Sequence, residues 1–113
     1  MRRRFFAALM PSMIKLRPDE LRLVQSILHA HIPDREVRVF GSRVQGKVKP
    51  TSDVDVCIMG DKPVEPKIID ELRRVFSEST LPMKVDVVEW ATLQAGFRKI
   101  VKSSSTVLQP AER

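Results

Sequence analysis

The sequence contains little cysteine and no long apolar segment. Among its 113 residues Cys57 is the single cysteine, so an intrachain disulfide bond is excluded. No stretch approaches the roughly 20 apolar residues that a membrane-spanning helix requires. Both absences fit a cytoplasmic protein and argue against a membrane partner. Cys57 itself lies in a predicted strand, and we interpret it as a packed core thiol rather than a nucleophile.

The excess of positive charge is concentrated at one end of the chain. The formal net charge is +6, and residues 1–17 hold five basic and no acidic residues, which leaves +1 for the remaining 96 residues. A basic arm can bind the phosphates of a nucleic acid, but we favour a solvated, disordered arm over residues 1–15. Residues 16–110 are predicted to form one domain. A domain of this size leaves little room for a separate acceptor-binding domain, so we expect a partner protein to supply the acceptor.

Residue periodicity predicts alternating strands and helices. The segments Glu36 to Phe40, Val54 to Met59 and Lys84 to Val88 are typical of strands. Helices are predicted to begin at Pro18, to span Pro66 to Glu78, and to run from Thr92 to Lys102. The last helix should turn Phe97, Ile100 and Val101 inward, and Val107 with Leu108 should add a short edge strand. Together these elements predict an α/β (α+β) fold, a small mixed sheet with helices packed on one face.

Three aspartates fall on these strands. If the first two strands pair antiparallel, Ser42 and Asp53 become neighbours. Side chains alternate between the faces of a strand, so Asp53 and Asp55 project together while Val54 points into the core. Asp86 on the third strand should lie on the same face. Two such charges about 4 Å apart repel by roughly 4 kcal/mol at an effective dielectric constant of about 20, so the cluster requires a cation or a raised pKa. Oxygen ligands of this kind favour Mg²⁺.

A glycine follows the first strand and suits phosphate binding. Gly41 permits a tight turn and close approach of a phosphate. The next residues, 42 to 46, are predicted to form a short helix whose amide groups and Ser42 hydroxyl face an anion. We place Arg43 there as a phosphate clamp, with a plain surface charge as the alternative. Lys47 and Lys49 could also touch the phosphates, although solvated loop lysines are equally consistent with the sequence.

Other polar residues receive less specific interpretations. Ser52 is included among the nucleotide-binding candidates, and we favour a turn cap that orients Asp53 over a direct ligand. Trp90 could stack on an adenine, but packing at the rim of the core is favoured. His29 and His31 have no metal-binding pattern near them and are interpreted as non-catalytic.

The combined motifs resemble those of a known family. Gly41-Ser42, then ten intervening residues, then Asp53-Val54-Asp55, and finally Asp86 on a later strand resemble the minimal nucleotidyltransferases of the DNA polymerase β superfamily. The resemblance covers about residues 16 to 108. It implies a polymerase β-like fold in which the Gly-Ser turn binds a nucleoside triphosphate. It also implies that Asp53, Asp55 and Asp86 form a two-metal magnesium site that transfers a nucleotidyl group to a hydroxyl.

The same resemblance implies a partner and a physiological role. Short members of this family are typically encoded beside a small helical HEPN protein, and the pair behaves as toxin and antitoxin. The resemblance therefore implies a hetero-oligomer in which this chain, as antitoxin, transfers AMP from ATP to a tyrosine of the HEPN toxin. Two alternatives stay open: neutralisation of the partner by contact alone, and nucleotidyl transfer to RNA or to a small molecule.

Overall fold

A central sheet separates three helices in the computed structural model, which describes residues 14–112. The predicted arm, residues 1–15, lies outside the described residues except for Ile14, which is buried in the core, and Lys15, whose N–H donates to the Arg43 carbonyl. No helix within residues 14–112 is long and apolar enough to cross a membrane. The elements in chain order are α1 (Pro18–His31), β1 (Val37–Phe40), a 3₁₀ turn (Gly41–Arg43), β2 (Val54–Ile58), α2 (Pro66–Glu78), β3 (Val85–Glu89), a second 3₁₀ turn (Trp90–Thr92), α3 (Ala95–Ser103) and β4 (Ser105–Gln109).

The sheet is mixed, as predicted, with the strand order β3-β2-β1-β4. β1 pairs antiparallel with β2, and Phe40 at its end lies opposite Asp55. β2 pairs parallel with β3, which places Asp55 beside Asp86. A parallel pair needs a crossover connection, and α2 provides it. The predicted antiparallel pairing of the first two strands is therefore confirmed, and all three aspartates lie at one corner of the sheet.

Helices α1 and α2 cover one face of the sheet. Val24 and Leu28 from α1 and Leu72 from α2 are completely buried, as are Val54 and Val56 from β2. They belong to one contiguous apolar cluster, and their spacing is helical in α1 and two residues in β2. The face of β2 that carries valines is therefore the structural face, and the opposite face carries Asp55.

Helix α3 departs from the prediction because it packs on the opposite face. Val101 is its buried anchor and contacts Phe40 and Cys57 in a second apolar cluster. Phe97 and Ile100 remain 42% and 51% exposed, so the expectation that they point inward was wrong. The helix also begins at Ala95 rather than at Thr92, whose hydroxyl donates to the Glu89 carbonyl within the preceding turn.

The last strand is longer than predicted. The expected strand at Val107 and Leu108 is confirmed and runs from Ser105 to Gln109, at the sheet edge beside β1. Gln109 fixes it because its buried amide donates to the carbonyls of Ile32 and Arg35.

Truncation of Leu72 should test this account of the core. Leu72→Ala is expected to lower the free energy of unfolding by about 2–5 kcal/mol, since it leaves a cavity between α2 and the sheet. Ile100→Ala, on an exposed face, should change it by less than about 0.5 kcal/mol. Urea denaturation followed by circular dichroism measures both, and equal losses would contradict the assignment of the core.

Candidate active site

The turn after β1 needs glycine for two reasons. Gly41 has a φ of 78°, a left-handed conformation that other residues rarely adopt. A Cβ atom at this position would lie 2.7 Å from Oδ2 of Asp55, which is closer than van der Waals contact allows. The turn and the Asp55 carboxylate are thus in direct contact, and the missing side chain is what permits it.

The turn itself is shorter than predicted. Instead of a helix over residues 42 to 46, a 3₁₀ turn spans Gly41–Arg43, and the N–H groups of Val44 and Gln45 donate to the Gly41 carbonyl. The first amides of such a turn have no partner inside it. The N–H groups of Ser42 and Arg43 are therefore the backbone donors that the turn leaves to an anion, and the Ser42 side chain is partly exposed beside them.

The structure brings the three predicted carboxylates together at the ends of β2 and β3. Asp53 directly precedes β2, Asp55 lies within it, and Asp86 is its register partner on β3. Burial raises the pKa of the Asp55 carboxyl, and repulsion from Asp86 and Asp53 raises it further. The electrostatic repulsion between carboxylates that the sequence predicted is therefore strongest at Asp55. Asp55 has Asp53 and Asp86 as neighbours and also contacts the glycine turn.

The carboxylates do not form a complete metal cage. Within residues 14–112 no three His, Cys, Asp or Glu side chains are placed to hold a metal ion by themselves. Mg²⁺ seldom uses an all-protein cage, and it commonly takes one or two carboxylates together with phosphate oxygens and water. Asp55 with one neighbouring carboxylate fits that pattern, provided that a triphosphate on the adjacent turn supplies the remaining oxygens.

A lysine beside Asp86 was not singled out in the sequence. Lys84 Nζ lies 3.3 Å from Oδ1 of Asp86 in a partly exposed ion pair. The signal was present, because residues two apart on a strand share a face. Lys84 offsets one of the crowded negative charges and places a cation next to the site.

Arg43 does not have the role that we predicted for it. Its side chain is 3% exposed, and all three guanidinium nitrogens donate to backbone carbonyl groups. Nε and Nη2 donate to the Ser52 carbonyl at 3.2 and 2.8 Å, and Nη1 donates to the Lys15 carbonyl at 2.7 Å. Nη2 also reaches the carbonyls of Lys49 and Pro50. Arg43 therefore fastens the loop that leads to Asp53, and it is not placed to clamp a phosphate.

Ser52 closes the same loop. Its hydroxyl accepts from the Lys49 N–H at 2.9 Å, and its own N–H donates to the Lys49 carbonyl at 3.0 Å. This geometry matches the turn cap that we favoured and does not place the hydroxyl at the phosphate turn. Lys47 and Lys49 are exposed loop residues.

The remaining polar and aromatic candidates have structural partners. The Trp90 ring is covered by the Arg98 guanidinium, 4.9 Å from the ring centroid, so it packs at the rim. Cys57 is fully buried, and burial raises the pKa of its thiol to about 11, which suits a core residue. His29 lies 3.0 Å from Glu112, and His31 contacts the Ile27 carbonyl; neither lies at the carboxylates.

A large open cavity adjoins the carboxylates. Its volume is about 1110 Å³, and it extends from Asp55 and Asp86 across the exposed edge of β3 to α2 and α3. Arg73 of α2 spans this edge, donating to the Val87 carbonyl at 3.0 Å. The carboxylates can therefore be reached from the side opposite the glycine turn.

Comparison with known proteins identifies the family. The family model described as "Nucleotidyltransferase domain" matches residues 21–108. The chain belongs to the nucleotidyltransferase family. It is also 40% identical over 100 residues to the probable protein adenylyltransferase MntA of Haemophilus influenzae, covering 88% of each chain.

Solved structures show the same fold. A chain in a crystal structure of a toxin–antitoxin with AMP-PNP superposes with a TM-score of 0.66 at 21% identity, covering 85% of this chain and 76% of the other. A second, from the complex of a tri-AMPylated Shewanella oneidensis HEPN toxin with its MNT antitoxin, gives 0.60 at 20% identity, with 80% and 73% covered. The fold predicted from the motifs is thereby confirmed.

Replacement of Arg43 should separate a structural role from a phosphate contact. Arg43→Ala leaves several carbonyl groups without their charged donor, and we expect a loss of roughly 2–3 kcal/mol of unfolding free energy. Arg43→Lys should recover only part of it, because an ammonium cannot reproduce the fork of the guanidinium. Arg22→Ala, at an exposed position of α1, is the matched control. Unchanged stability of Arg43→Ala together with weakened ATP binding would favour the original phosphate clamp instead.

Removal of the Asp55 charge should stabilise the metal-free protein. Because folding raises the pKa of Asp55, the folded protein binds the proton more tightly than the unfolded chain, and stability falls as the pH rises above the ordinary aspartate range. Asp55→Asn in EDTA at pH 7 should therefore melt at a higher temperature than the wild type and depend less on pH. Added Mg²⁺ and ATP should stabilise the wild type only. Asp61→Asn, on an exposed turn, should behave as the wild type.

Proposed function

We propose that the chain is a metal-dependent nucleotidyltransferase that transfers AMP from ATP to a hydroxyl of a HEPN-type partner, and that it thereby acts as an antitoxin. The observation that carries the proposal is the contact between the Gly41 turn and Asp55. It puts backbone N–H donors for a triphosphate directly beside a carboxylate that can hold the associated cation. The glycine turn and the Asp55 carboxylate would thus bind one substrate together, a metal-bound nucleoside triphosphate.

The roles of the site residues follow from their positions. The N–H groups of Ser42 and Arg43 and the Ser42 hydroxyl would bind phosphate oxygens, with Gly41 giving the access. Asp53 and Asp55 would hold Mg²⁺, and Asp86 would complete a second metal position. Bound Mg²⁺ would supply neutralisation of charge on the attacking and leaving oxygens.

The transfer step requires a base on the acceptor side. The acceptor oxygen forms a bond to the α-phosphorus, the bond from that phosphorus to the bridging oxygen breaks, and pyrophosphate leaves. Asp86 would take the hydroxyl proton, and two observations support this role: it lies beside Asp55 in the register of the sheet, and it lines the open cavity. Lys84, paired with Asp86, would help to orient that carboxylate.

The names of similar proteins support the choice of nucleotide and acceptor. A relative at 40% identity is named a probable protein adenylyltransferase, and similar folds were solved with AMP-PNP and with an AMPylated HEPN toxin. These names support ATP as the donor and a HEPN protein as the acceptor, and the tyrosine hydroxyl rests on the family resemblance of the motifs. A cytoplasmic location agrees with this substrate and with the single buried cysteine.

Neutralisation by contact alone is the second candidate. It would need no cluster of carboxylates at the site, yet the neighbours Asp86 and Asp53, together with burial, raise the pKa of Asp55. Groups with a perturbed pKa are concentrated at functional sites. The observation therefore favours catalysis over contact alone.

The double variant Asp53→Ala with Asp55→Ala tests the proposal. We expect no transfer of label from [α-³²P]ATP to the HEPN-type protein encoded by the adjacent reading frame, and a loss of toxin neutralisation. Asp34→Ala with Asp61→Ala removes two exposed acids that do not line the cavity, and this variant should label the partner at the wild-type rate.

The two candidate functions predict different results for this variant. Full neutralisation of the toxin by a double variant that cannot label it would support contact alone. Continued labelling by that variant would show that the carboxylates are not the catalytic groups.

A further inference from the structure

Helix α3 carries an apolar surface that the chain itself does not cover. Within residues 14–112 the large hydrophobic side chains with substantial exposure are Phe97 and Ile100. They are three residues apart, so they share one face of the helix. Val101, four residues after Phe97 and so close to it around the helix, anchors the adjoining side of α3 on the sheet. Exposed apolar side chains that lie together mark an interaction surface more often than single ones do.

The charge around this pair has one sign. Helix α3 contains Arg98, Lys99 and Lys102 and no acidic residue. Arg98 is occupied, since its guanidinium covers Trp90 and donates to the Trp90 carbonyl at 3.1 Å. Lys99 and Lys102 are exposed, and at 3.6 residues per turn both follow Ile100 around the helix on the side away from Phe97. The surface is therefore apolar on the Phe97 side and basic on the other side, which matches a protein surface whose apolar patch is bordered on one side by acidic residues.

The surface is continuous with the candidate active site. The Phe97 ring meets the Phe40 ring edge to face, with 5.7 Å between centroids, and Phe40 lies opposite Asp55 in the sheet. Phe97 also lines the cavity that contains Asp55 and Asp86. A protein whose hydroxyl reaches Asp86 through this cavity must place its neighbouring residues on the rim, where α3 stands.

We propose that the outer face of α3, formed by Phe97, Ile100, Lys99 and Lys102, is the docking surface for the acceptor-bearing partner. The partner would apply an apolar patch bordered on one side by acidic residues and so direct its hydroxyl into the cavity beside Asp86. This inference rests on the proposed function and adds to it the surface that selects the acceptor. A nucleic acid would match the two lysines but not the aliphatic side chain of Ile100, so a protein is the better occupant.

Two variants of α3 test the inference with the full-length chain and the HEPN-type protein of the adjacent reading frame. Ile100→Glu replaces the exposed aliphatic side chain by a negative charge, and Lys99→Glu with Lys102→Glu reverses the charge on the basic side of the surface. Each should weaken partner binding at least ten-fold in isothermal titration calorimetry and slow labelling of the partner at low partner concentration. Binding of ATP and Mg²⁺ to the free chain should stay at the wild-type level, because none of these residues lies at the glycine turn. Lys67→Glu, exposed at the start of α2, is the matched control and should bind the partner normally.

The outcomes distinguish this inference from the proposed function. Wild-type affinity of both α3 variants for the partner would overturn the inference and leave the function intact. A partner that binds the wild type through α3 but is never labelled would overturn the function and support the surface. Self-association of the free wild-type chain that Ile100→Glu abolishes, or an RNA that competes with the partner for α3, would assign the face to another occupant and overturn the inference. A wild-type chain that neither binds nor labels the partner would overturn both.

Discussion

The contact between Gly41 and Asp55 is the constraint on which the site depends. The proposed phosphate-binding turn and the proposed cation-binding carboxylate can act on one ligand only if they are adjacent, and here a methyl group would be too large to fit between them. The antiparallel register of β1 and β2 fixes that adjacency, and the parallel register of β3 adds Asp86. The core behind β2 holds these registers because a shift of one residue would exchange the valine face with the aspartate face.

This arrangement concentrates negative charge at a cost in stability. Asp55 is disfavoured as an anion by burial and by both neighbouring aspartates, and within the described residues Lys84 is the cation paired with the cluster. The apolar core on the other face, centred on residues such as Leu28 and Leu72, must outweigh that cost. A metal-bound nucleotide would relieve it, so the same repulsion that destabilises the free protein favours substrate binding.

The sequence allowed prediction wherever the signal was local. A two-residue period assigned Asp53, Asp55 and Asp86 to one face, and the glycine after β1 indicated the turn. Arg43 was misassigned because its position in the motif does not reveal whether its side chain turns toward solvent or toward the carbonyl groups of residues 49 to 52. Phe97 and Ile100 were misassigned because helical spacing identifies an apolar face but does not say whether the chain or a partner covers it.

Arg43 and the exposed residues of α3 together suggest how the two sides of the site differ. Because Arg43 fastens the loop from within, the glycine turn and Asp53 are held in place without a nucleotide, and little ordering is needed when the triphosphate binds. The acceptor side is built differently: an open cavity, an exposed strand edge and an uncovered apolar helix. Under the proposed function, a preformed donor site beside an incomplete acceptor site would make transfer conditional on a second protein. Such an enzyme would bind its nucleotide readily and transfer AMP only when the partner's surface completes the acceptor site.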